Sequence, residues 1–384
     1  MPYWRLSTYY FCYFATLGIV IPYWGLYLQS LGFNALEIGQ LMALLLATKI
    51  IAPNLWSWVA DHTGQCMRMV RIAGFLSLLI YMAAFVTRDF WGMALIMMGY
   101  SFFWNASLPQ IEATTLNHLG ADAHRYGKVR MWGSFGFIAL VIFLGPFVDR
   151  FGPAVVLPAL AAALAGVWLA SLAIPEVGRP PVSDGGESLM RVFQRPEVLA
   201  LLAACLLMQA SHAPLYTFFS IYLDGYGYSK SLIGVLWALG VICEVGVFLV
   251  MHRVFGVSSL ATILWITFAT TAFRWLLIAF FPERVEVMVI AQALHAITFG
   301  AYHATAIQLI HYFFRRNHQY RGQALYSSVS FGIGGALGSL YSGYLWTTWG
   351  PVQTYVVASV LAAVAGVLIA VFVSPALARA SQAD

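Results

Sequence analysis

The chain consists of successive apolar runs, each about as long as the roughly 20 residues that a transmembrane helix needs. Only 9% of its residues are charged, against about 25% in soluble domains, so a water-facing surface cannot be formed. The sequence predicts an all-α integral membrane protein with twelve transmembrane helices. The spans are expected near residues 6–30, 36–59, 69–87, 90–115, 128–149, 152–174, 198–222, 229–252, 258–281, 285–312, 322–347 and 351–375.

Basic residues between the runs predict how the chain is oriented. An even number of spans places both termini on one side of the membrane. The ends and loops on that side hold Arg5, Arg68, Arg71, Arg125, Lys128, Arg130, Arg179, Arg191, Arg195, Arg253, Arg315, Arg316, Arg321 and Arg379. The opposite side holds only Arg88, Arg150, Lys230 and Arg284. Because cytoplasmic loops carry the excess of Lys and Arg, we expect a multi-pass inner-membrane protein with cytoplasmic N- and C-termini. Topology also accounts for the net charge of +5 without a nucleic acid partner.

A polar stretch divides the chain into two halves. Residues 176–197 include Pro180-Pro181 and Gly185-Gly186, which are typical of a linker. We expect an N-terminal six-helix half over residues 1–175, a cytoplasmic linker over 176–197 and a C-terminal six-helix half over 198–384.

The two halves share a partial internal repeat. A shift of 195 residues places Tyr27 on Tyr222 and Gly32 on Gly227, and it also places Lys49 on Glu244. Two six-helix halves repeated in parallel resemble the architecture of major facilitator transporters, whose substrate site lies near the midplane between the halves.

Ionisable residues inside the spans are functional candidates, because a charge is costly in the bilayer. Glu244 lies among apolar residues far from either end of span 8. Burial favours its neutral acid, whereas the guanidinium of a nearby Arg274 favours the carboxylate. These opposing influences are typical of a proton carrier. A static pair bracing spans 8 and 9 is the alternative.

Lys49 is expected to need an anionic ligand or a structural partner at its depth, unless its side chain extends to the membrane interface. Glu112 and Arg130 lie near the cytoplasmic ends of spans 4 and 5.

Four histidines are further candidates, because histidine titrates near physiological pH. One of them, His311, lies close to the membrane edge. His295 and His303 are eight residues apart on span 10, or about 80° around an α-helix at 100° per residue, so both could face one cavity. His212 lies in span 7. A buried histidine bonded to a backbone carbonyl is the alternative for each.

Two further sets of residues point to a cavity and to close packing. Tyr23 and Trp24 are expected to line the cavity. Gly334, Gly338 and Ser342 recur every four positions of span 11, which favours close helix packing.

The sequence lacks the motifs of phosphate binding, metal binding and serine hydrolysis. The sequence has no glycine loop with lysine for phosphate, no pair of metal ligands on one helix face and no serine elbow. We therefore expect no enzyme activity, no cofactor and no metal site.

The loop between spans 2 and 3 resembles the major facilitator loop signature of glycine, aspartate, glycine and basic residues. It carries Asp61 and Gly64, which the resemblance implies are gating residues. Ser57 replaces the first glycine and Gln65 a basic residue.

Other segments resemble the lactose permease branch. The run from Tyr126 to Gly133, with Glu112 upstream, is similar to the sugar-binding arginine and glutamate of that permease, which implies a substrate-binding role for Arg130. Its coupling glutamate, arginine and histidine correspond to Glu244, Arg274 and His295. The sequence differs from that permease at two positions. Phe137 replaces the tryptophan that stacks on the sugar, and Thr298 replaces the second coupling carboxylate.

Nearly the whole chain resembles the 3-phenylpropionate transporter family of proton symporters for aromatic acids. The segments that carry this resemblance are 211–216, 236–244, 273–275 and 294–303. The resemblance implies a symporter that works by alternating access. Its proton-coupling residues would be Glu244, Arg274 and His295, and its substrate-binding residues Lys49, Glu112, Arg130, Phe137, His212, His303, Tyr23 and Trp24.

Three alternatives remain open. A proton-driven exporter would use Gly145-Pro146 in span 5, although Phe147 to Arg150 replace the expected glycines. A sugar or nucleoside symporter is the second, and a non-transporting receptor or scaffold in the membrane is the third. Because two six-helix halves can enclose a pathway in one chain, we expect a monomer whose partners are its substrate, a proton and the lipid bilayer.

Overall fold

The described part of the chain is helical. The computed structural model describes residues 1–177, 192–314 and 319–381, and these contain helices and short turns without a β-strand. In chain order the helices are α1 (Tyr3–Ser30), α2 (Ala35–Thr63), α3 (Cys66–Phe85), α4 (Phe90–Leu119), α5 (Tyr126–Phe151), α6 (Pro153–Leu172), α7 (Pro196–Gly225), α8 (Lys230–Val257), α9 (Leu260–Phe280), α10 (Val285–Phe313), α11 (319–348) and α12 (Pro351–Arg379). The predicted all-α fold is confirmed.

Ten stretches of the described chain are long and apolar enough to cross a membrane. One of them, Phe90–Phe151, is 62 residues long and contains both α4 and α5, and α11 is not among the ten. Large apolar side chains such as Leu95, Phe143 and Leu249 are exposed along these stretches, and exposed apolar surface of this kind needs lipid around it. A multi-pass membrane protein is confirmed, whereas the count of twelve spans stays a prediction.

Matching turns precede corresponding helices of the two halves. Gly32 (φ 92°) and Gly227 (φ 83°) precede α2 and α8, and Gly152 (φ 80°) and Gly350 (φ 91°) precede the prolines that begin α6 and α12. Glycine adopts these positive φ values without the steric cost that other residues meet, and proline suits the first helical position. The repeat therefore extends to the backbone conformation of the turns.

Several helices contain π-helical segments. Within the described residues these are Val20–Trp24 in α1, Ala296–Ala301 in α10, Ser328–Gly334 in α11 and Ile369–Val373 in α12. A π turn widens the helix by one residue and changes the direction of the side chains that follow it, and such turns are frequent at functional sites. The segment in α10 lies in the middle of the candidate site described below.

The chain divides into two compact units. The first comprises the described residues up to 177 together with residues 216–238, and the second comprises residues 192–215 and 239–381. The end of α7 and the beginning of α8 thus pack with the first unit. The sequence boundaries of the two halves stay a prediction, and most of the predicted linker, residues 178–191, lies outside the described residues.

In the first unit, α5 contacts the beginning of α8 with almost no space between the backbones. A Cβ on Gly145 would lie 2.8 Å from the carbonyl oxygen of Lys230, and one on Gly234 would overlap the carbonyl oxygen of Val141. The Tyr23 hydroxyl donates to the carbonyl oxygens of Val141 at 2.6 Å and Lys230 at 3.4 Å. These contacts explain why the beginning of α8 belongs to the first unit.

Glycines also set the approach of α1 to α5. A Cβ on Gly136 would overlap the carbonyl oxygen of Phe11, and one on Gly18 would lie 2.7 Å from that of Phe137. At each of these two points, a glycine of one helix lets the backbone of the other helix come into contact.

In the second unit, the small residues of α11 contact α7. A Cβ on Gly334 would lie 2.6 Å from the carbonyl oxygen of Leu206, and one on Gly338 would lie 2.6 Å from the Cβ of Ala213. The Ser342 hydroxyl donates to the carbonyl oxygen of Gly338 at 2.6 Å. The close packing predicted from this spacing is present.

Candidate functional site

A buried arginine organises the polar side chains of the second unit. Arg274, on α9, has no exposed surface. Its Nε donates to the backbone carbonyl of Ala291 at 2.6 Å, and its Nη2 donates to Oε1 of Gln292 at 3.1 Å. Its Nη1 donates to Nδ1 of His295 at 3.1 Å and to Oγ1 of Thr298 at 3.0 Å. A buried charge needs such partners, and α10 supplies all four.

The imidazole of His295 lies between Arg274 and Glu244. Arginine donates hydrogen bonds and accepts none, so Nδ1 of His295 must be the acceptor of the bond from Arg274. The neutral ring then carries its proton on Nε2, which lies 3.7 Å from Oε2 of Glu244. The structure thus brings together the three residues predicted for proton coupling.

Glu244 lies in the middle of α8, opposite the π-helical segment of α10. A Cβ on Gly300 would lie 3.2 Å from Cγ of Glu244, and a Cβ on Gly240 would lie 3.3 Å from Oε1 of Gln292. These glycines let α8 and α10 approach at the level of the carboxyl. The Glu244 side chain is 17% exposed, whereas Arg274 is fully buried. The carboxyl is therefore the more accessible end of the cluster.

Three rings form a column along α10. His295 stacks on Phe299 with centroids 5.3 Å apart and planes 8° apart, and Phe299 stacks on His303 at 5.8 Å and 6°. Nδ1 of His303 also lies 2.9 Å from the Tyr326 hydroxyl. His295 and His303 thus share one face of α10 more closely than the 80° of a regular α-helix, because the π turn lies between them.

His212 extends the cluster from α7. The ring is 1% exposed, and its Nδ1 lies 2.9 Å from the carbonyl oxygen of Met208. It contacts Trp275 edge to face at 4.8 Å and lies 6.3 Å from His295 between centroids. The guanidinium of Arg274 also lies over the Trp275 ring, at 4.8 Å. His212 thus packs beside the residues that contact Arg274, and its predicted contact with substrate stays a prediction.

A second polar group occupies the first unit. Nε of Arg130 lies 3.9 Å from Oε1 of Glu112, which also accepts from the Tyr126 hydroxyl at 3.2 Å. The guanidinium of Arg130 lies 3.8 Å from the centroid of Phe14 and 5.7 Å from that of Tyr10. About a third of each charged side chain is exposed, so both can reach a solute.

Lys49 is a half-buried cation of α2. The preceding Thr48 is bonded to Ser101 at 3.0 Å and accepts from Asn105 at 2.9 Å, so the adjacent face of α2 is used in packing on α4. Among the described residues, the Lys49 amine has no hydrogen bond or ion pair. An unpaired cation at this depth favours an anionic contact.

Tyr23, Trp24 and Phe137 are packed inside the first unit. The hydroxyl of Tyr23 is bonded to two backbone carbonyls, and Nε1 of Trp24 donates to the sulfur of Met97 at 3.3 Å. Neither ring has exposed surface, and Phe137 is 7% exposed. Their predicted contact with substrate stays a prediction.

The two predicted gating residues lie at the end of α2. Gly64 ends the helix with φ 65°, and its backbone N donates to the carbonyl oxygen of Ala60. A left-handed residue of this kind is a common helix terminator. The side chain of Asp61 lies outside what the structure describes, and the gating role of both residues stays a prediction.

Sequence reasoning missed two members of the site, Gln292 and Phe299. Gln292 is a polar residue inside an apolar run and three positions before His295, which was a usable signal. The role of Phe299 depends on the π turn, for which the sequence holds no comparable signal. Within the described residues, no group of three His, Cys, Asp or Glu side chains could hold a metal ion.

Comparison with known proteins gives a consistent result. The model of the MFS_1 like family matches residues 3–357. The chain is 28% identical over 343 residues to the "Probable 3-phenylpropionic acid transporter" of Escherichia coli (strain K12), which covers 88% of this chain and 89% of that protein. It is 25% identical over 344 residues to the maltose permease of Geobacillus stearothermophilus, which covers 89% and 87%, respectively.

Solved structures share the fold at low sequence identity. The nucleoside transporter NupG matches with a TM-score of 0.83 at 17% identity, over 97% of this chain and 99% of that chain. A bacterial homolog to the human lysosomal transporter Spinster matches with a TM-score of 0.76 at 13% identity, over 96% of each chain. The predicted major facilitator fold is confirmed.

Proposed function

The chain belongs to the MFS_1 like family and is a membrane transporter of the major facilitator type, and on this premise we propose that it is a proton-coupled symporter for a small carboxylic acid. The single observation that carries the proposal is the order in which three side chains of the second unit contact one another: Arg274 contacts His295, and His295 contacts Glu244.

This order suits a proton carrier. Ionised Glu244 faces the Nε2 proton of His295, and the other nitrogen of that ring accepts from Arg274. A proton that binds Glu244 removes the charge that attracts the His295 N–H group. The contact between α8 and α10 therefore weakens when the carboxyl is protonated, which links the proton to the packing of two helices.

The substrate anion is bound by the cations that remain accessible. Lys49 has no ionic partner among the described residues, and Arg130 has exposed guanidinium surface. One proton and one monocarboxylate carry no net charge together, so their joint movement does no work against the membrane potential. An acid substrate thus suits a carrier with one proton site.

An aromatic acid is the preferred substrate class. The Escherichia coli relative is named for 3-phenylpropionic acid, and aromatic side chains lie beside Arg130 and His295. Phenyl rings pack favourably on such side chains, face to face or edge to face.

The basic residues favour an inner-membrane protein with both termini in the cytoplasm. We expect one chain to be the functional unit.

The test is uptake by proteoliposomes with an imposed proton gradient. Labelled 3-phenylpropionate, maltose and uridine are offered to wild type and to Glu244→Gln. The symporter should accumulate the acid alone, and Glu244→Gln, which cannot ionise, should equilibrate the acid without accumulating it. Accumulation by Glu244→Gln equal to wild type would contradict the proton role of Glu244.

A neutral solute is the second candidate. Arg130 is paired with Glu112, and a pair without net charge suits hydroxyl groups better than a carboxylate. The maltose permease relative and the nucleoside transporter fold are in line with this candidate. Accumulation of maltose or uridine in the same assay would favour it. Outward flux of the acid, measured in inside-out vesicles, would favour an exporter.

A further inference from the structure

The side-chain amide of Gln292 has one defined orientation. Nη2 of Arg274 lies 3.1 Å from one end of this amide. Arginine only donates hydrogen bonds, so the amide atom that faces it must be the oxygen, Oε1. The Nε2 group therefore points away from the guanidinium. Gln292 is 1% exposed, and its Nε2 has no hydrogen-bond partner among the described residues. Buried donors without a partner are rare in folded proteins, and each one needs an explanation.

Gln292 and His295 have the same hydrogen-bonding pattern toward Arg274. Each accepts a hydrogen bond from the guanidinium, at 3.1 Å in both cases, and each has an N–H group at its other end. The two residues are three positions apart on α10, which places them on one helix face. His295 directs its Nε2 toward Glu244, whereas Nε2 of Gln292 lacks the corresponding acceptor.

The facing surface of α8 comes close to Gln292 with no side chain in between. Gly240 lies opposite Gln292, and Glu244 follows one helical turn later on the same face. Helical side chains lean toward the N-terminus of their helix, and the Glu244 carboxyl accordingly reaches back to His295, the residue whose Cβ also faces Gly240. Glycine contributes no side chain there, and the second carboxylate oxygen can approach the Gln292 amide.

We propose that Gln292 is a second positioning residue for the proton site. When Glu244 is ionised, one carboxylate oxygen accepts from Nε2 of Gln292 while the other faces Nε2 of His295. Two neutral side chains then connect the charge of Arg274 with the charge of Glu244. Bonds to an ionised acceptor are stronger than bonds to a neutral one, so both contacts weaken when Glu244 binds a proton. This inference rests on the proposed function.

Among the described residues, His295 on α10 faces the carboxyl directly. Arg274 on α9 and His212 on α7 are the charged and titratable groups next to His295. Gln292 adds no charge, so its removal alters the number of donors available to Glu244 and leaves the formal charge of the cluster unchanged.

The experiment is a pH titration of the Glu244 carboxyl by infrared difference spectroscopy of the protein in lipid, with the band assigned by its loss in Glu244→Gln. Gln292→Met has a similar shape and no amide. We expect its titration midpoint to rise by about one pH unit, a roughly tenfold tighter hold on the proton, and the pH profile of uptake to rise with it. An unchanged midpoint would overturn the proposal.

Thr298→Val is the matched control, because it also removes one acceptor of Arg274 but no N–H group directed at α8. A shift equal to that of Gln292→Met would show that both act only by loosening Arg274 and would overturn the proposal. If Gln292→Met does not fold, Gln292→Asn withdraws the amide by one methylene, and the same upward shift is expected.

The two proposals fail in different ways. If uptake is proton-driven but Glu244 titrates in the Gln292 variants as it does in wild type, the positioning role of Gln292 is refuted and the symporter proposal stands. A wild-type protein without any Glu244-dependent carboxyl band between acidic and alkaline pH refutes both.

Discussion

Asp149 binds Ser231 twice, because its Oδ2 accepts from the backbone N of Ser231 at 2.9 Å and from the side-chain hydroxyl at 2.5 Å. Its Oδ1 accepts from the backbone N of Lys230 at 2.7 Å. The first N–H groups of a helix lack partners within the helix and favour a negative charge. The last turn of α5 thus caps α8, the helix that carries Glu244.

Asp149→Ala should loosen the first turn of α8, because it removes both acceptor oxygens. A helix cap contributes about 1 kcal/mol, which corresponds to about a fivefold change in an opening equilibrium. We expect hydrogen exchange of the amides near Lys230 to be about fivefold faster, as measured by mass spectrometry. Ser231→Ala, which removes only the hydroxyl bond, should have a smaller effect. The first turn of α2, capped by Asn34, should be unaffected, and faster exchange there would indicate general destabilisation.

His295→Phe should destabilise the second unit, because Nη1 of Arg274 loses an acceptor in a buried place. The expected loss in the free energy of unfolding is about 1 to 3 kcal/mol, visible as a lower midpoint of thermal unfolding followed by tryptophan fluorescence. His295→Gln offers an oxygen to Arg274 and an N–H group to Glu244, so it should retain more of the stability. Equal losses in both variants would contradict the acceptor role of His295.

Lys49→Met should weaken binding of the acid and leave a neutral analogue unaffected. If one charge contact contributes about 1.4 kcal/mol, the KM for 3-phenylpropionate rises about tenfold. Lys49→Arg retains the charge and should stay close to wild type. The measurement is competition of uptake by 3-phenylpropionate and by its uncharged amide. An equal loss for acid and amide would exclude an anion contact.

Gly136→Ala should lower stability, because the added Cβ would overlap the carbonyl oxygen of Phe11. Overpacking of this kind costs about 1 to 3 kcal/mol. Gly127→Ala in the same helix meets nothing within 4 Å and removes a helix-weakening glycine, so it should raise stability by about 0.5 to 1 kcal/mol. Thermal unfolding of the two variants in detergent compares them. An unchanged midpoint in Gly136→Ala would show that α1 and α5 can separate there.

The helices could be predicted from the sequence because lipid permits few alternatives. A spanning segment must satisfy its own backbone hydrogen bonds, so an apolar run of sufficient length indicates a helix. The buried charges Glu244 and Arg274 were recognisable for the same reason, since each is costly in a bilayer and needs a partner.

Side-chain directions could not be predicted equally well. The 80° separation of His295 and His303 assumed a regular α-helix, whereas the π turn between them aligns their rings. The assumption failed because the sequence pattern does not reveal a π turn, which in this structure includes Gly300, the residue that faces Glu244. Tyr23 and Trp24 were selected by their position in the repeat, which does not reveal whether an aromatic ring is packed inside its own unit.

The column of His295, Phe299 and His303 has a spectroscopic consequence. Protons held above the face of a phenyl ring are shielded by its circulating π electrons, so the imidazole C–H resonances of both histidines should move upfield in a magnetic resonance spectrum. Converting the π turn to a regular α-helix would rotate the rings apart and remove this displacement. Two native histidines can therefore report, without an attached label, whether α10 keeps its widened turn while the carrier works.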